Sequence, residues 1–267
     1  MTEPILRIFS YLPNPRVWKS LIAGDLCGVE VDVVGDKPAN LANWLWDYDA
    51  RELAESERSE DNPNARTGRR GFSGRLYKTD AFLETQPFGT VPCAFSPGGE
   101  FGIFESNSIL RAVARAGAGT RQLYGANHYQ ASRIDSFLDA NLVFAREAQV
   151  YLLGMDAMDA ATHARMAAAY EFFLDGVENA LGHSEYIAGA ELSIADISYV
   201  CDFAQFLREG HYEEQLRKCD LPLISTDGRE RFPRAYAHML SLSETPEFAG
   251  RMGSYLDWYR RNLPATT

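Results

Sequence analysis

The sequence is short of cysteine, of positive charge and of long apolar runs, and each shortage excludes something. Its 4 cysteines (Cys27, Cys93, Cys201 and Cys219) are scattered over 267 residues with no CxxC and no pairing pattern. They read as free thiols in a reducing compartment, not as a disulfide framework. Only 26 Lys and Arg stand against 37 Asp and Glu, for a net charge of −11. That balance argues against nucleic acid or an anionic membrane face as the main partner. No apolar stretch is long enough to span a bilayer, and MTEPILRIFSYLPNP lacks the basic and apolar regions of a signal peptide. A cytoplasmic protein is the expectation. The 5 histidines show no metal-ligand spacing, and the chain holds no P-loop, no GxGxxG after a strand and no GxSxG. No metal is therefore expected, and no internal repeat or low-complexity block is evident.

What is present is a 46% hydrophobic content, enough for a real core and for two small domains. Ile5 to Phe9 is a strand candidate ended by Pro13 and Pro15. Arg16 to Leu26 has Val17, Leu21 and Ile22 on one side and Gly28 after it, the pattern of a helix. Val29 to Val34 alternates as a second strand, so the opening is a βαβ unit with a right-handed crossover.

The stretch from Pro87 to Gly117, PFGTVPCAFSPGGEFGIFESNSILRAVARAG, carries the chemistry. Two short apolar runs across a Pro-Gly-Gly turn predict a β-hairpin (Cys93 to Phe95, Phe101 to Phe104). Ser106 is an N-cap candidate for a helix with Ile109, Leu110 and Val113 on its apolar face, stopped by Gly117. A hydroxyl and open N–H groups at a helix start suit a carboxylate. A cis bond at Val91-Pro92 would turn the Val91 N–H and C=O outward to pair with an extended peptide, but only about 5–6% of X-Pro bonds are cis.

Between Val34 and Pro87 the connection is unusually long: aromatic around Trp44, Trp46 and Tyr48, charged from Arg51 to Asn64, then glycine-rich and basic in GRRGFSGR. It reads as a solvated, partly mobile excursion. The functional alternative is a lid or dimer contact with Arg69 or Arg70 poised for a carboxylate.

In the second half, GAGTRQLYGAN (117–127) reads as a linker. His128 to Leu153 and Ala160 to Leu181 are long amphipathic patterns, each stopped by a glycine. Ser193-Ile-Ala-Asp196 is a capping box before an apolar helix. Phe137, Phe144, Tyr151, Phe172, Phe203 and Phe206, at helical spacing, are expected to be mostly core.

VP, then the hairpin, then ESNSIL resembles the glutathione-binding signature of the glutathione transferase superfamily. YIAG…LSIADI resembles the capping motif of that family's helical domain, and Phe232-Pro-Arg-Ala-Tyr-Ala-His and Thr245-Pro-Glu-Phe match its last helices. The resemblance implies an α/β plus all-α chain. A thioredoxin-like βαβ-ββα domain would span 1–117 with an insertion at about 47–80, followed by a linker at 118–127 and an all-helical domain at 128–267. A second insertion is expected near 211–231. The resemblance implies glutathione as co-substrate. Val91 would meet its cysteinyl part by backbone, beside a cis Pro92, and Glu105 and Ser106 its γ-glutamyl end.

Members of the family place a Tyr, Ser, Cys or Asn near the start of the first helix to stabilise the thiolate. Here Val17 stands where several bacterial members carry Ser, which leaves Ser10, Tyr11, Asn14 and Arg16 as donors. Asn14, by its amide, and Arg16, by its fixed charge, are the expected catalytic pair. The alternative is that Asn14 caps the helix and Arg16 is a surface residue.

The implied reaction is attack of glutathione thiolate on an electrophilic, aromatic carbon of a hydrophobic small molecule. Bacterial members include lignin β-etherases, which cleave aryl β-ethers this way. PNPRVWKSLIA, FESNSI and LSIADI also resemble the glutathione-transferase-like domain of elongation factor 1 gamma, which serves assembly. A non-catalytic assembly module, or one subunit of a heterodimer, therefore stands as the alternative. With no further domain before Thr267, the enzyme is the expectation. A two-fold dimer is implied, with an identical or related chain.

Overall fold

The computed structural model describes residues 3–68, 72 and 74–262. Arg69 and Arg70, the two candidate carboxylate contacts, lie outside the described residues. The chain divides into two units, 1–121 and 122–267.

The first unit runs β1 (Leu6–Tyr11), α1 (Pro15–Cys27), β2 (Val31–Asp36), β3 (Trp44–Trp46), β4 (Arg51–Glu52), β5 (Ala65–Thr67), β6 (Arg75–Lys78), α2 (Asp80–Thr85), β7 (Cys93–Phe95), β8 (Gly102–Phe104) and α3 (Ser106–Ala116). One sheet has the order β2-β1-β7-β8, with β1 parallel to β2 and the other pairs antiparallel. The second strand starts at Val31 and not at Val29, for a local reason. Gly28 adopts φ 69°, and the Val29 N–H turns back to the Gly24 carbonyl at 3.0 Å, closing α1 before the strand begins. Gly35, at φ 155°, pairs with Ser10, and a Cβ there would lie 1.7 Å from the Ser10 carbonyl oxygen. That close approach requires glycine.

The 47–80 excursion is not a solvated loop. Its strands β4, β5 and β6 join β3, which precedes it, in a second four-stranded sheet of order β4-β3-β6-β5. The sheet is tied to the first unit's core by Trp46, which is 1% exposed and packs with Phe9, Leu41, Leu76, Phe82, Cys93 and Phe95. Trp46 meets Phe9, Phe72 and Phe82 edge to face at 5.5, 5.4 and 6.1 Å, and its Nε1 donates to the Leu41 carbonyl at 3.0 Å. Lys78, at the end of β6, lies over the Trp46 ring at 4.6 Å and donates to the Gly89 carbonyl at 2.7 Å. The inserted sheet thereby holds the loop that leads to Val91. Gln86 holds the same loop from within, donating to the Ala94 carbonyl at 2.8 Å.

The second unit is helical: α4 (His128–Leu153), α5 (Ala160–Leu181), α6 (Ile194–Phe206), α7 (Glu213–Lys218), α8 (Gly228–Arg231), α9 (Pro233–Ser243), α10 (Pro246–Met252) and α11 (Asp257–Arg261). Asn127 and Asp159 cap α4 and α5 from their side chains. Among the described residues, no helix is long and apolar enough to cross a membrane.

The core of this unit centres on α6. Phe144, Phe203, Phe206 and Tyr170 are buried together, and the Tyr170 and Tyr236 hydroxyls share a 2.9 Å hydrogen bond. Phe172 departs from the expected core set: it is 78% exposed, and its neighbour Phe173 takes the inward face. The capping box at α6 is formed. The Ser193 hydroxyl accepts from the Ala195 N–H at 3.2 Å, and Asp196 accepts from the Ser193 N–H at 2.9 Å. The other Asp196 oxygen accepts from the Ile187 N–H at 2.9 Å and meets His238 at 2.8 Å, so one buried carboxylate ties three segments together.

Candidate functional site

The candidate site lies at one end of the β2-β1-β7-β8 sheet, and strand register puts it there. Phe9 pairs with Cys93, and Cys93 with Phe104. Within five residues of these pairs, three segments converge: the chain leaving β1 (Tyr11 to Asn14), the chain entering β7 (Val91, Pro92) and the chain leaving β8 (Glu105, Ser106). The starts of α1 and α3 are brought to the same edge.

Val91 is half-buried, and the Val91–Pro92 peptide is cis. Its N–H and C=O make no hydrogen bond to any described residue. A partly exposed backbone pair without protein partners is open to solvent or to a ligand. An extended peptide laid along this edge would satisfy both.

Glu105 and Ser106 follow with a correction. Ser106 is not the N-cap but the first residue of α3, and Glu105 occupies the cap position at φ 65°, ψ 125°. A non-glycine residue in that region carries strain of about 1–3 kcal/mol, and such strain concentrates at ligand sites. No side chain caps α3, and its first turn contains no acidic residue. The Ser106 N–H at the helix start meets no described residue and is open to an anion.

The first helix takes up the alternative named for Asn14, that of a helix cap. Asn14 is 0% exposed. Its Oδ1 accepts from the Arg16 N–H at 3.0 Å, and its Nδ2 donates to the Ser10 hydroxyl at 3.0 Å. Asn14 is thus the cap of α1 through its Oδ1, while one hydrogen of its Nδ2 goes to Ser10. Val17 is buried, as its apolar side chain demands, whereas Arg16 remains partly exposed at the helix start.

Sequence reasoning missed Lys19. A lysine on α1 reads as a surface residue, yet this one is 1% exposed. Its Nζ donates to Asn107 Oδ1 at 3.0 Å and to the Ser106 hydroxyl at 3.4 Å. One sequence signal was its spacing: Lys19 sits one helical turn from Ile22 and Ala23, which are fully buried. Protein thiols are poor nucleophile candidates here, since burial pushes the Cys93 and Cys27 thiols up from their ordinary values. Among the described residues, no cluster of three or more His, Cys, Asp or Glu is arranged to hold a metal.

No family model matches the sequence. A glutathione S-transferase-like protein of Aspergillus aculeatus is 31% identical over 168 residues, covering 60% of this chain and 72% of that protein. The chain belongs to the glutathione S-transferase superfamily. A second glutathione S-transferase-like protein, from a Fusarium species, is 25% identical over 248 residues, 91% of each chain. A probable elongation factor 1-gamma of Arabidopsis thaliana is 26% identical over 201 residues, and this chain spans 40% of its length. Among solved structures, a glutathione transferase of Phanerochaete chrysosporium with oxidized glutathione superposes with a TM-score of 0.66 at 15% identity, covering 98% of this chain and 99% of that one. The fold is thus the superfamily's thioredoxin-like unit followed by its helical unit, with the second sheet of 44–78 built into the first.

Proposed function

We propose that this glutathione transferase superfamily member binds glutathione along the Val91 edge and uses its thiolate against a hydrophobic electrophile. The observation that carries the reading is the unpartnered backbone of Val91 beside the uncapped start of α3. The cysteinyl part would pair with Val91 as a short strand, and the γ-glutamyl carboxylate would dock on Ser106 and the first N–H groups of α3. Pro92 and the strained Glu105 fix the two ends of this cradle.

The thiol must lose its proton to react. Lowering its pKa by about two units takes roughly 2.7 kcal/mol, and one hydrogen bond to a charged group supplies about 1.5–3. Arg16 is the donor in this reading, because it alone combines a fixed charge with exposure at the α1 start. Asn14 is its positioning residue, holding the first turn through the cap. The thiol proton leaves to water, and the sulfur lone pair forms the new S–C bond as the leaving group departs with its electron pair. An aromatic electrophile, including an α-keto aryl β-ether, fits the apolar composition of the second unit.

The same reading includes a two-fold dimer of this chain. Phe88 and Phe101 in the first unit, and Tyr129, Val143 and Phe172 in the second, expose large apolar side chains that a second copy would cover. Sedimentation velocity reads this directly.

The test of the reaction is calorimetry with glutathione, followed by the ultraviolet thiolate absorbance of the bound ligand as pH is varied. Wild type is expected to bind and to hold the thiol pKa well below its free value. Arg16→Met should raise that pKa by about one to two units while leaving affinity within about twofold. Binding without thiolate formation would favour the assembly reading that the elongation factor similarity suggests. No binding would end the proposal.

A further inference from the structure

The buried Lys19 is unexplained by packing. A lysine at 1% exposure gives up its hydration, and its three ammonium protons need acceptors. Two of the acceptors it reaches are the first two side chains of α3, Ser106 and Asn107, which are themselves buried. Both lie where the preceding reading docks a carboxylate.

Hydrogen-bond direction supplies the argument. Lysine can only donate. The Ser106 oxygen is therefore an acceptor toward Lys19, which leaves the hydroxyl's own proton for an acceptor other than Lys19. Likewise Asn107 accepts through Oδ1, which fixes its amide so that the N–H2 group points away from Lys19. Lys19 thus sets the polarity of both side chains. Ser106 receives on its inner side and keeps its hydroxyl proton for the outer side, next to its own backbone N–H, which meets no described residue. The lysine charge behind them, screened little because it is buried, adds attraction for an anion in front.

We infer that Lys19 is a positioning residue that makes the first turn of α3 a carboxylate receptor, and so selects ligands through their amino-acid end. The inference rests on the glutathione reading and deepens it. Lys19 acts through Ser106 and Asn107 and need not touch the ligand.

The experiment is a double-change cycle by calorimetry. The protein change is Lys19→Met. The ligand change is from glutathione to an analogue whose γ-glutamyl α-carboxylate is amidated. Wild type is expected to lose roughly 30-fold in Kd on amidation, and Lys19→Met only about threefold or less, because the variant no longer recognises the charge. A purely structural role for Lys19 would weaken both ligands equally and leave the amidation penalty unchanged, which overturns the inference. Equal glutathione affinity in variant and wild type overturns it as well. Failure of wild type to bind glutathione overturns the function proposed above and this inference with it, so the two failures are distinct. Should Lys19→Met not fold, the side-chain nitrogen resonance of Lys19 in the wild-type protein decides. It should shift on saturation with glutathione and stay in place with the amidated analogue, and no difference between the two ligands overturns the inference.

Discussion

Replacing Trp46 by alanine tests whether the inserted sheet is part of the first unit or an appendage to it. The indole is 1% exposed, and it joins β3 to Phe9 on β1 and to Phe82 on α2. Burial of a tryptophan removes about 200 Å² from water, worth roughly 5 kcal/mol at 25 cal/mol/Å². Alanine recovers part of that area, but the cavity left behind costs again, and measured substitutions of this kind fall at about 3–5 kcal/mol. The Leu41 carbonyl also loses its 3.0 Å donor, for about 1 kcal/mol more. The sum is about 4–6 kcal/mol, against a typical domain stability of about 5–15.

Urea unfolding followed by circular dichroism should therefore show an early transition for the first unit. Trp46→Phe, which keeps most of the buried ring, should lose only about 1–2 kcal/mol. Glutathione affinity should fall along with stability in Trp46→Ala. Lys78 loses the ring it lies over, and with it the firm hold on Gly89 that fixes the approach to Val91. A loss below about 1 kcal/mol, with affinity unchanged, would mean that the sheet is a detachable excursion after all.

Two further predictions concern the second unit. Glu209 is fully buried, where it accepts from the Ser225 N–H at 2.7 Å, the Ile224 N–H at 3.2 Å and the Tyr151 hydroxyl at 3.1 Å. Burial pushes its carboxyl up, only partly offset by these donors. With the folded value above the unfolded one, the folded state holds the extra proton. Its stabilising contribution is full below the ordinary carboxylate range and is lost as pH rises through the raised value. Comparing urea midpoints of wild type and Glu209→Gln across that range should show a falling slope that the variant lacks. Asp196 holds Ile187, Ser193 and His238 from a site with no exposed surface. Asp196→Ala should cost about 3–5 kcal/mol by leaving several buried donors unpaired, against about 1 kcal/mol for Ser193→Ala, as read by thermal unfolding.

What could be read from the sequence was local. The bounds of α4 and α5 follow from their 3.6-residue periodicity and terminal glycines, and the α6 capping box from four adjacent residues. The hairpin at Cys93 to Phe95 follows from its Pro-Gly-Gly turn. Each is fixed by interactions within a few residues, so periodicity and cap chemistry suffice.

The tertiary structure decided the rest, because the deciding partners are far apart in sequence. The strands β3 to β6 are two to four residues long, too short for a periodicity, and exist because Trp46 can bury itself among residues of β1, α2 and β7. Ser106 reads as a cap, but the end of β8 swings Glu105 to positive φ and places Ser106 inside the helix. Asn14 offers an amide donor on paper; in the fold it donates to the Ser10 hydroxyl, and its oxygen accepts from the Arg16 N–H. Lys19 reads as surface charge, and only the approach of α3, 87 residues later, gives its ammonium a reason to be buried.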